Sequence, residues 1–391
     1  MTAATVQPRA ATGRWAVLGA YALLAACTQL LWLTFAPVTI ETARALRVDV
    51  GVAGDLAAVF PLVYVGLALP AGRWLDGRFA PALGAGAVLT GAGALLRVAV
   101  PTSFAWQLAA QLVIAAGQPL VLNAITKVAA GHFPPRERPT AIAIGTVALY
   151  AGILAAVLAG GPLFAAGGLG LLLTVEAAPA VVAAAAVLVA LRVPPAHFAD
   201  PPAAPSLRWL LRDRFLWTLA GLVFVGMGVY NAVATWLEPI LHRFTPDAPA
   251  GALVALMTFA GVLGAALLPS LVAARDRRRA LLLAALGTTT VVFAALMARH
   301  DVAWTAAWLA VLGFLLMASL PVVLDWAEVH VGPERQGAAA GLLLLAGNLG
   351  GLVLVLVVQA LLGNVLLALA ALAASGLLAF PLALRLPART R

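Results

Sequence analysis

The chain has 391 residues, of which 63% are hydrophobic and 10% are charged, and its mean hydropathy is +1.03. A soluble fold of this composition would lack the polar residues needed to cover its surface, whereas a protein that faces lipid does not need them. The apolar runs do not alternate with polar residues, so they predict membrane-spanning α-helices and exclude a β-barrel. The formal charge of +9 comes from basic residues scattered between these runs, which argues against a nucleic-acid-binding face.

Taken in chain order, the apolar runs predict two groups of six spans. The first group covers residues 15–40, 50–71, 81–100, 104–130, 140–161 and 169–191. A stretch rich in Pro and Arg, 192–213, follows as a cytoplasmic linker. The second group covers 215–241, 251–274, 280–298, 302–331, 336–362 and 364–384. The predicted domains are therefore a cytoplasmic tail at 1–14, a six-helix bundle at 15–191, the linker, a second bundle at 214–386 and a tail at 387–391.

The basic residues predict an orientation for these spans. If the N-terminus is cytoplasmic, only Arg44, Arg47, Arg97, Arg243 and Arg299 of the 24 Lys and Arg fall on the outer side. Cytoplasmic loops of membrane proteins are enriched in Lys and Arg, so both termini are expected on the cytoplasmic side. The expected location is the plasma (inner) membrane. The first run is too long for a cleaved signal peptide and is expected to remain as a span.

The loop after the second span carries the sequence PAGRWLDGR at 70–78. It resembles the signature G-x-x-x-D-R-x-G-R of the major facilitator superfamily in Gly72 and Asp76, whereas Gly77 and Phe79 stand where that family usually has Arg and Gly. The equivalent loop of the second half carries RDRRR at 275–279. The resemblance implies an all-α integral membrane fold of two pseudo-symmetric six-helix bundles that moves a small-molecule substrate by alternating access. It also implies that Asp76 accepts hydrogen bonds from a facing helix end.

A second resemblance is to the feline leukaemia virus subgroup C receptor branch of that superfamily, which includes choline, ethanolamine and haem-related carriers. It rests on Trp32, Trp74-Leu75-Asp76, Gln118, Asn123, Lys127, His132-Phe133-Pro134, Tyr230-Asn231, Glu328 and Gly332-Pro333-Glu334, with His132 in place of an expected Trp. By this resemblance, Trp32, Gln118 and Tyr230 contact the substrate, expected to be an organic cation such as choline. The alternatives are a proton-coupled multidrug or metabolite exporter and a haem or porphyrin carrier.

Polar and aromatic residues near the middle of predicted spans are the other indication of a substrate pathway. Such groups are costly in lipid unless they face a cavity or find partners. The candidate substrate-binding residues are Trp32, Gln118, Asn123, Tyr150, Tyr230 and Asn231. Aromatic rings would hold an ammonium group by their faces, and Gln118 would orient a hydroxyl or amine. The alternative for each is packing, or a hydrogen bond to a neighbouring helix worth about 0.6 kcal/mol.

Charged residues near the predicted inner ends suggest a gate. The candidate gating residues are Gly72, Asp76, Arg78, Lys127, Arg136, Arg138, Asp276, Asp325, Glu328 and Arg335. Asp325 and Glu328 are one helical turn apart and are expected to pair with Arg136 and Arg138, or with Arg335. Lys127 either snorkels to the membrane surface or takes part in the gate. Pro119 and Pro321 occupy matching places in spans four and ten and are expected to bend both helices.

The acidic residues do not decide whether transport is coupled to protons. The candidates for coupling are Asp55, Glu176 and Glu238. None lies clearly in the middle of the expected cavity, which favours a facilitator or a weakly coupled carrier. The sequence has no P-loop, G-x-S-x-G or H-E-x-x-H motif, so we expect no enzymatic activity and no cofactor. A monomer is expected.

Overall fold

The computed structural model describes residues 8–195, 206–245 and 248–388, and these residues form helices joined by short loops. The α-helices are α1 (Pro8–Leu33), α2 (Thr39–Leu46), α3 (Val50–Gly77), α4 (Phe79–Ala99), α5 (Phe104–Leu122), α6 (Ile125–His132), α7 (Arg138–Ala190), α8 (Arg214–His242), α9 (Ala250–Ala274), α10 (Arg278–Ala298), α11 (Val302–Val331), α12 (Gln336–Leu361) and α13 (Val365–Leu384). Short 3₁₀ segments cover Ala36–Val38 and Leu207–Arg212. The prediction of an all-α membrane fold is confirmed.

In the described residues, 11 helical segments are long and apolar enough to cross a membrane. One of them, α7, has 53 residues, whereas one span needs roughly 20. Its backbone leaves the helical conformation at Gly167 and Gly168, and the φ of +65° at Gly168 is one that glycine adopts without strain. Helix α7 is therefore long enough for two spans joined at this kink, which fits the predicted six plus six.

The first predicted span, 15–40, lies within one candidate membrane span, Gly13–Leu46, but this span is not a continuous helix. Helix α1 ends at Leu33, the chain passes through the 3₁₀ segment Ala36–Val38, and α2 begins at Thr39. Pro37 explains the interruption, because proline has no backbone N–H and disfavours helix in the residue before it. The turn and 3₁₀ residues 34–38 are called the α1 break below.

Three prolines lie within membrane helices, and the bend expected at Pro119 and Pro321 stays a prediction. The predicted span 104–130 divides between α5 and α6, with the division beginning at Asn123, four residues after Pro119. Helix α11 continues through Pro321, and α7 continues through Pro162 beyond the predicted boundary at residue 161. A proline removes only one hydrogen bond from a membrane helix, and neighbouring groups can satisfy the freed carbonyl. A proline alone therefore does not fix where a membrane helix ends.

The described residues separate into two compact units. The first takes in the chain up to Ser206 together with Val331–Gly341, and the second takes in Leu207–His330 and the chain from Leu342 onwards. The loop before α12 and the first turn of that helix therefore belong with the first unit. This piece, Val331–Gly341, is called the docked segment below.

Each unit has its own apolar core. In the first, Phe35, Val38 and Leu56 pack with Leu169 and Leu172, so the core surrounds the α1 break. In the second, the core consists of apolar residues from α8 to α13, including Val233, Met257, Phe293, Leu312 and Leu369.

The start of α11 shows an ordinary helix cap outside the membrane. Asp301 accepts a hydrogen bond of 2.9 Å from the backbone N–H of Trp304 and forms an ion pair with Arg299. The Trp304 N–H and the nearby Arg299 guanidinium hold the pKa of the Asp301 carboxyl below its usual range. This exposed pair serves below as a control for a buried one.

Candidate functional site

Asp76 caps a helix that lies far away in sequence. It lies at the end of α3 and is fully buried, and its two carboxylate oxygens accept hydrogen bonds from Gly337 N at 2.7 Å and Ala338 N at 2.9 Å. These N–H groups belong to the first turn of α12, where a helix has no internal acceptors and carries a partial positive charge. A carboxylate at this position stabilises the helix end. The capping geometry that the resemblance implied for Asp76 is thus present within the first unit.

Gly72 allows this approach of α3 to the docked segment. A Cβ atom at Gly72 would lie 2.4 Å from Gly337 O and 2.8 Å from the Ala338 Cα atom. Both neighbours are backbone atoms, which cannot move aside as a side chain does. Gly72 is therefore required by the close contact rather than by its own backbone conformation.

Lys127 of α6 joins the same cluster. Its side chain is buried, and Nζ lies 3.5 Å from Asp76 Oδ1 and donates to Pro333 O at 3.2 Å. The alternative that Lys127 snorkels to the membrane surface is therefore wrong. The lysine connects α6, α3 and the docked segment, and its charge partly balances that of Asp76.

The remaining candidate gating residues are placed less centrally. Arg78, Arg136 and Arg335 are exposed, and Arg138 Nε donates to Phe133 O at 3.1 Å. In the second unit, Asp325 accepts a hydrogen bond of 2.7 Å from Arg278 Nε, a partner that the sequence analysis did not name. Asp276 lies 3.4 Å from Arg278 Nη1, and Glu328 is buried in the same helix as Asp325.

A buried polar cluster surrounds the α1 break. Arg97 of α4 is fully buried; its Nη2 lies 3.5 Å from Glu176 Oε2 of α7, and its Nη1 donates to Thr34 Oγ1 at 2.8 Å. The Thr34 hydroxyl also donates to Glu176, and Gln111 of α5 contacts Arg97 at 3.4 Å. Arg97, which was counted above with the outer basic residues, is thus a buried ion-pair residue near the end of α4 and says little about orientation. The remaining charge bias still favours the same orientation.

The sequence contained a signal for this cluster. Gln107, Gln111 and Gln118 are spaced four and seven residues apart, which places three polar groups on one face of α5. Gln107 Nε2 donates to Arg97 O at 2.8 Å, and Gln111 Nε2 donates to Leu56 O at 3.0 Å. A polar face on a span, next to a span containing a single Arg, indicates a buried network.

Trp32 and Gln118 both belong to the first unit. Trp32 is half-buried, its Nε1 donates to Ala57 O at 3.0 Å, and its ring centroid is 6.4 Å from that of Phe60. Gln118 is 3% exposed, and its Nε2 has no hydrogen-bond partner among the described residues. Trp32 thus offers an aromatic ring fixed by a hydrogen bond, and Gln118 offers a buried N–H donor without a partner among the described residues.

Two hydrogen bonds fix the depth of α5 against α1. Gln111 Nε2 donates to Leu31 O at 3.5 Å, and the Tyr21 hydroxyl donates to Val121 O at 3.1 Å. The two helices are antiparallel, so Gln118 lies roughly 12 Å from Trp32 along the helix axes at 1.5 Å per residue. Side chains tilt toward the N-terminus of their own helix, so these two lean toward each other in depth.

The other candidate binding residues have different surroundings. Asn123 is fully buried; it accepts from the Tyr64 hydroxyl at 2.6 Å and donates to Ala68 O at 2.7 Å, so its amide joins α5 to α3. Tyr150 is half-buried in α7. In the second unit, the half-buried Tyr230 hydroxyl lies 3.1 Å from Thr258 Oγ1, and Asn231 lies against Gly351.

Among the proton-coupling candidates, Asp55 is exposed near the start of α3 and Glu176 is buried in the cluster described above. The side chain of Glu238 lies outside the described part of the chain.

Apolar membrane helices with a carboxylate bound to a distant helix N-terminus match the arrangement that the sequence resemblance to a transporter superfamily implied. The chain belongs to the Major Facilitator Superfamily, whose family model matches residues 17–355.

Its relatives include solute carrier family 49 member A3 of Danio rerio, which is 29% identical over 373 residues, covering 89% of this chain and 78% of the relative. The Xenopus tropicalis protein of the same name is 26% identical over 378 residues with the same coverage. An uncharacterized protein of Archaeoglobus fulgidus is 30% identical over 178 residues, which is 44% of this chain and 82% of that protein.

Solved structures have the same fold. The human organic anion transporter TETRAN has a TM-score of 0.77 at 15% identity, covering 95% of this chain and 99% of its own. A bacterial homologue of the iron transporter ferroportin has a TM-score of 0.78 at 14% identity, covering 95% and 98%. One of these proteins is named as an organic anion transporter and the other as a homologue of an iron transporter, so the shared fold does not identify a substrate for this chain.

Proposed function

We propose that this member of the superfamily is a secondary transporter that moves a small organic cation of the size and chemistry of choline by alternating access. The proposal places it in the feline leukaemia virus subgroup C receptor branch. Relatives named as solute carriers match most of the chain, which supports a transport role. The observation that carries the cation hypothesis is that α1 ends one residue after Trp32.

The end of α1 is a favourable place for positive charge. The last carbonyl groups of a helix have no intrahelical partners and carry a partial charge of about −0.5. At the end of α1 one of these groups, Leu31 O, already accepts from Arg97 and Gln111. Discontinuous membrane helices use such ends to bind cations. The ring of Trp32 stands at this end, held by Ala57 O and flanked by Phe60. A desolvated ammonium over an aromatic ring gains about 2 kcal/mol.

Gln118 supplies the polar complement. A buried donor without a partner costs about 1–3 kcal/mol, and a solute that accepts its hydrogen bond removes that cost. The hydroxyl oxygen of choline is such an acceptor, at the opposite end of the molecule from its ammonium group. In this arrangement the ammonium lies at Trp32 and the hydroxyl points toward Gln118. We assign no solute contact to Asn123, because its Oδ1 and Nδ2 already form hydrogen bonds with Tyr64 and Ala68 of α3.

The second unit contributes its own candidates to the proposal. Tyr230 offers a half-buried aromatic ring whose hydroxyl is held by Thr258. Tyr230 and Asn231 of the second unit, and Tyr150 of the first, remain candidate substrate-binding residues on the resemblance alone, with no contact assigned to them.

The docked segment fits the proposed transport cycle. Asp76 and Lys127 bind it through polar contacts to Gly337, Ala338 and Pro333, and such contacts can form and break without exposing an apolar core. We propose that the segment is docked in one end state of the cycle and released in the other. We also propose an inner-membrane location with both termini cytoplasmic, supported by the excess of basic residues in the predicted inner loops.

A thermal-shift screen of the purified protein tests the solute class. Choline and related amines should raise the melting temperature of the wild type, and Trp32→Ala should abolish the shift. Trp106→Ala is the matched control, because Trp106 is an exposed tryptophan of the same unit whose ring nitrogen binds Leu96 O. It should retain the shift.

Stabilisation by anions or sugars, with none by any amine, would exclude the cation proposal. A shift with porphyrins alone would indicate a haem-type carrier. Resistance to toxic compounds on expression, without choline uptake, would favour a multidrug or metabolite exporter.

A further inference from the structure

Side chains of two other helices satisfy the backbone at the end of α1. The Leu31 carbonyl would accept from Phe35 N in a continuous helix, but the helix stops at Leu33. It accepts instead from Arg97 Nη1 at 3.3 Å and from Gln111 Nε2 at 3.5 Å, and the Thr34 hydroxyl lies 3.2 Å from it. Non-helical backbone at membrane depth persists only where the protein supplies such partners. Arg97 and Gln111 therefore act as long-range caps of α1.

Glu176 makes it possible to bury Arg97 at this position. An unpaired charge inside a membrane protein is strongly unfavourable, and Glu176 Oε2 lies 3.5 Å from Arg97 Nη2. Both residues also bind the Thr34 hydroxyl, and Thr34 is the first residue of the α1 break. The ion pair is thus attached to the break itself.

We propose that Glu176 is a positioning residue that holds the α1 break and neutralises Arg97, so that Trp32 and the end of α1 can receive a cation. This inference rests on the proposed function for the identity of the solute. Glu176 does not touch the solute; it acts through Thr34 and Arg97. Without Glu176, the positive charge of Arg97 would remain close to Trp32 and would repel an ammonium group.

The contacts of the pair suit a junction that rearranges during transport. A distance of 3.5 Å is longer than the 2.7–2.9 Å of a charge-assisted hydrogen bond. Within the described part of the chain, Glu176 Oε1 has no hydrogen-bond partner. The pair is therefore held mainly by charge attraction, which tolerates small changes in distance as the break changes shape.

Binding and transport of choline by the full-length protein test the inference. Glu176→Gln should raise the Kd and KM for choline about tenfold or more, because a unit charge near the site becomes uncompensated. The value of kcat should change much less. Thr34→Val should act in the same direction, and Thr34→Ser, which keeps the hydroxyl, should restore wild-type values. Asp301→Asn removes a carboxylate from the exposed pair with Arg299 and should change neither constant.

A second measurement needs no solute. Cys27 is the single cysteine, so Cys27→Ser gives a thiol-free background. In this background, Ala36→Cys places one thiol at an exposed position of the 3₁₀ segment, within the α1 break. Adding Glu176→Gln or Thr34→Val should change the rate of maleimide labelling severalfold, whereas Thr34→Ser should not.

The two measurements separate the two hypotheses. Folded Glu176→Gln and Thr34→Val variants with wild-type labelling and wild-type Kd would overturn the positioning role. If Glu176→Gln does not fold, the comparison of Thr34→Val with Thr34→Ser decides. If Glu176→Gln and Thr34→Val alter the labelling rate but the wild type binds no amine, the result would support the positioning of the α1 break by Glu176. The same result would overturn the proposed solute class.

Discussion

Replacing Gly72 by alanine is a steric test of the contact between α3 and the docked segment. The added Cβ would lie 2.4 Å from Gly337 O, whereas ordinary contacts begin at 3.4 Å, so the segment must move by about 1 Å. That movement would stretch the 2.7 Å bond from Gly337 N to Asp76 beyond hydrogen-bonding range. A hydrogen bond to a charged group contributes about 1.5–3 kcal/mol, and each 1.4 kcal/mol is about tenfold in population. Gly72→Ala should raise the population of the undocked segment about tenfold to a hundredfold.

Thiol labelling measures that population. Ala340 is buried in the docked segment, so a thiol introduced by Ala340→Cys in the Cys27→Ser background should react slowly with a maleimide and faster after Gly72→Ala. Gly66→Ala is the matched control, because Gly66 lies in the same helix and a Cβ there meets nothing within 4 Å. It should leave the rate unchanged. Equal rates for the two alanine variants would refute the steric argument.

Two further substitutions separate the gate from the binding site. Lys127→Met leaves Asp76 buried without its cation and should lower the free energy of unfolding by about 3 kcal/mol. Lys127→Arg keeps the positive charge and should lower the free energy of unfolding less. An unchanged melting temperature of Lys127→Met would contradict the pairing. Asn123→Ala leaves the Tyr64 hydroxyl and Ala68 O without their partner and should destabilise the protein by about 1–3 kcal/mol at an unchanged choline Kd. A tenfold higher Kd for choline with a normal melting curve would show instead that Asn123 contacts the solute.

The sequence predicted features that depend on local composition. Apolar length located most of the spans. The role of Asp76 as a cap was implied by the resemblance of the loop at 70–78 to the superfamily signature. The sequence did not predict which residues pair across the bundle. The sequence shows only that Lys127 lies near the end of a predicted helix. The fold places Pro333 O and the Asp76 carboxylate next to its amine. Arg97 lies near the end of the predicted span 81–100 and was counted with the outer basic residues; its buried partner Glu176 is far away in sequence and could not be predicted.

The α1 break shows the same limit. Pro37 was visible, but the apolar run continues through it, and hydropathy does not register a change from helix to 3₁₀ backbone. Two of the groups within hydrogen-bonding distance of the released Leu31 carbonyl come from α4 and α5, and the third is the hydroxyl of Thr34 in the break itself. Candidate binding residues such as Trp32 could therefore be named from the sequence, whereas the helix end beside Trp32 could not.

Uptake of choline into proteoliposomes tests the central claim most directly. Purified wild-type protein should give saturable uptake down a choline gradient, competed by other small amines. Trp32→Ala should reduce uptake to the level of empty liposomes, and Trp106→Ala should not. Uptake of amines no greater than in empty liposomes, with saturable uptake of an anion or a sugar by the same preparation, would contradict the proposal that this carrier moves an organic cation.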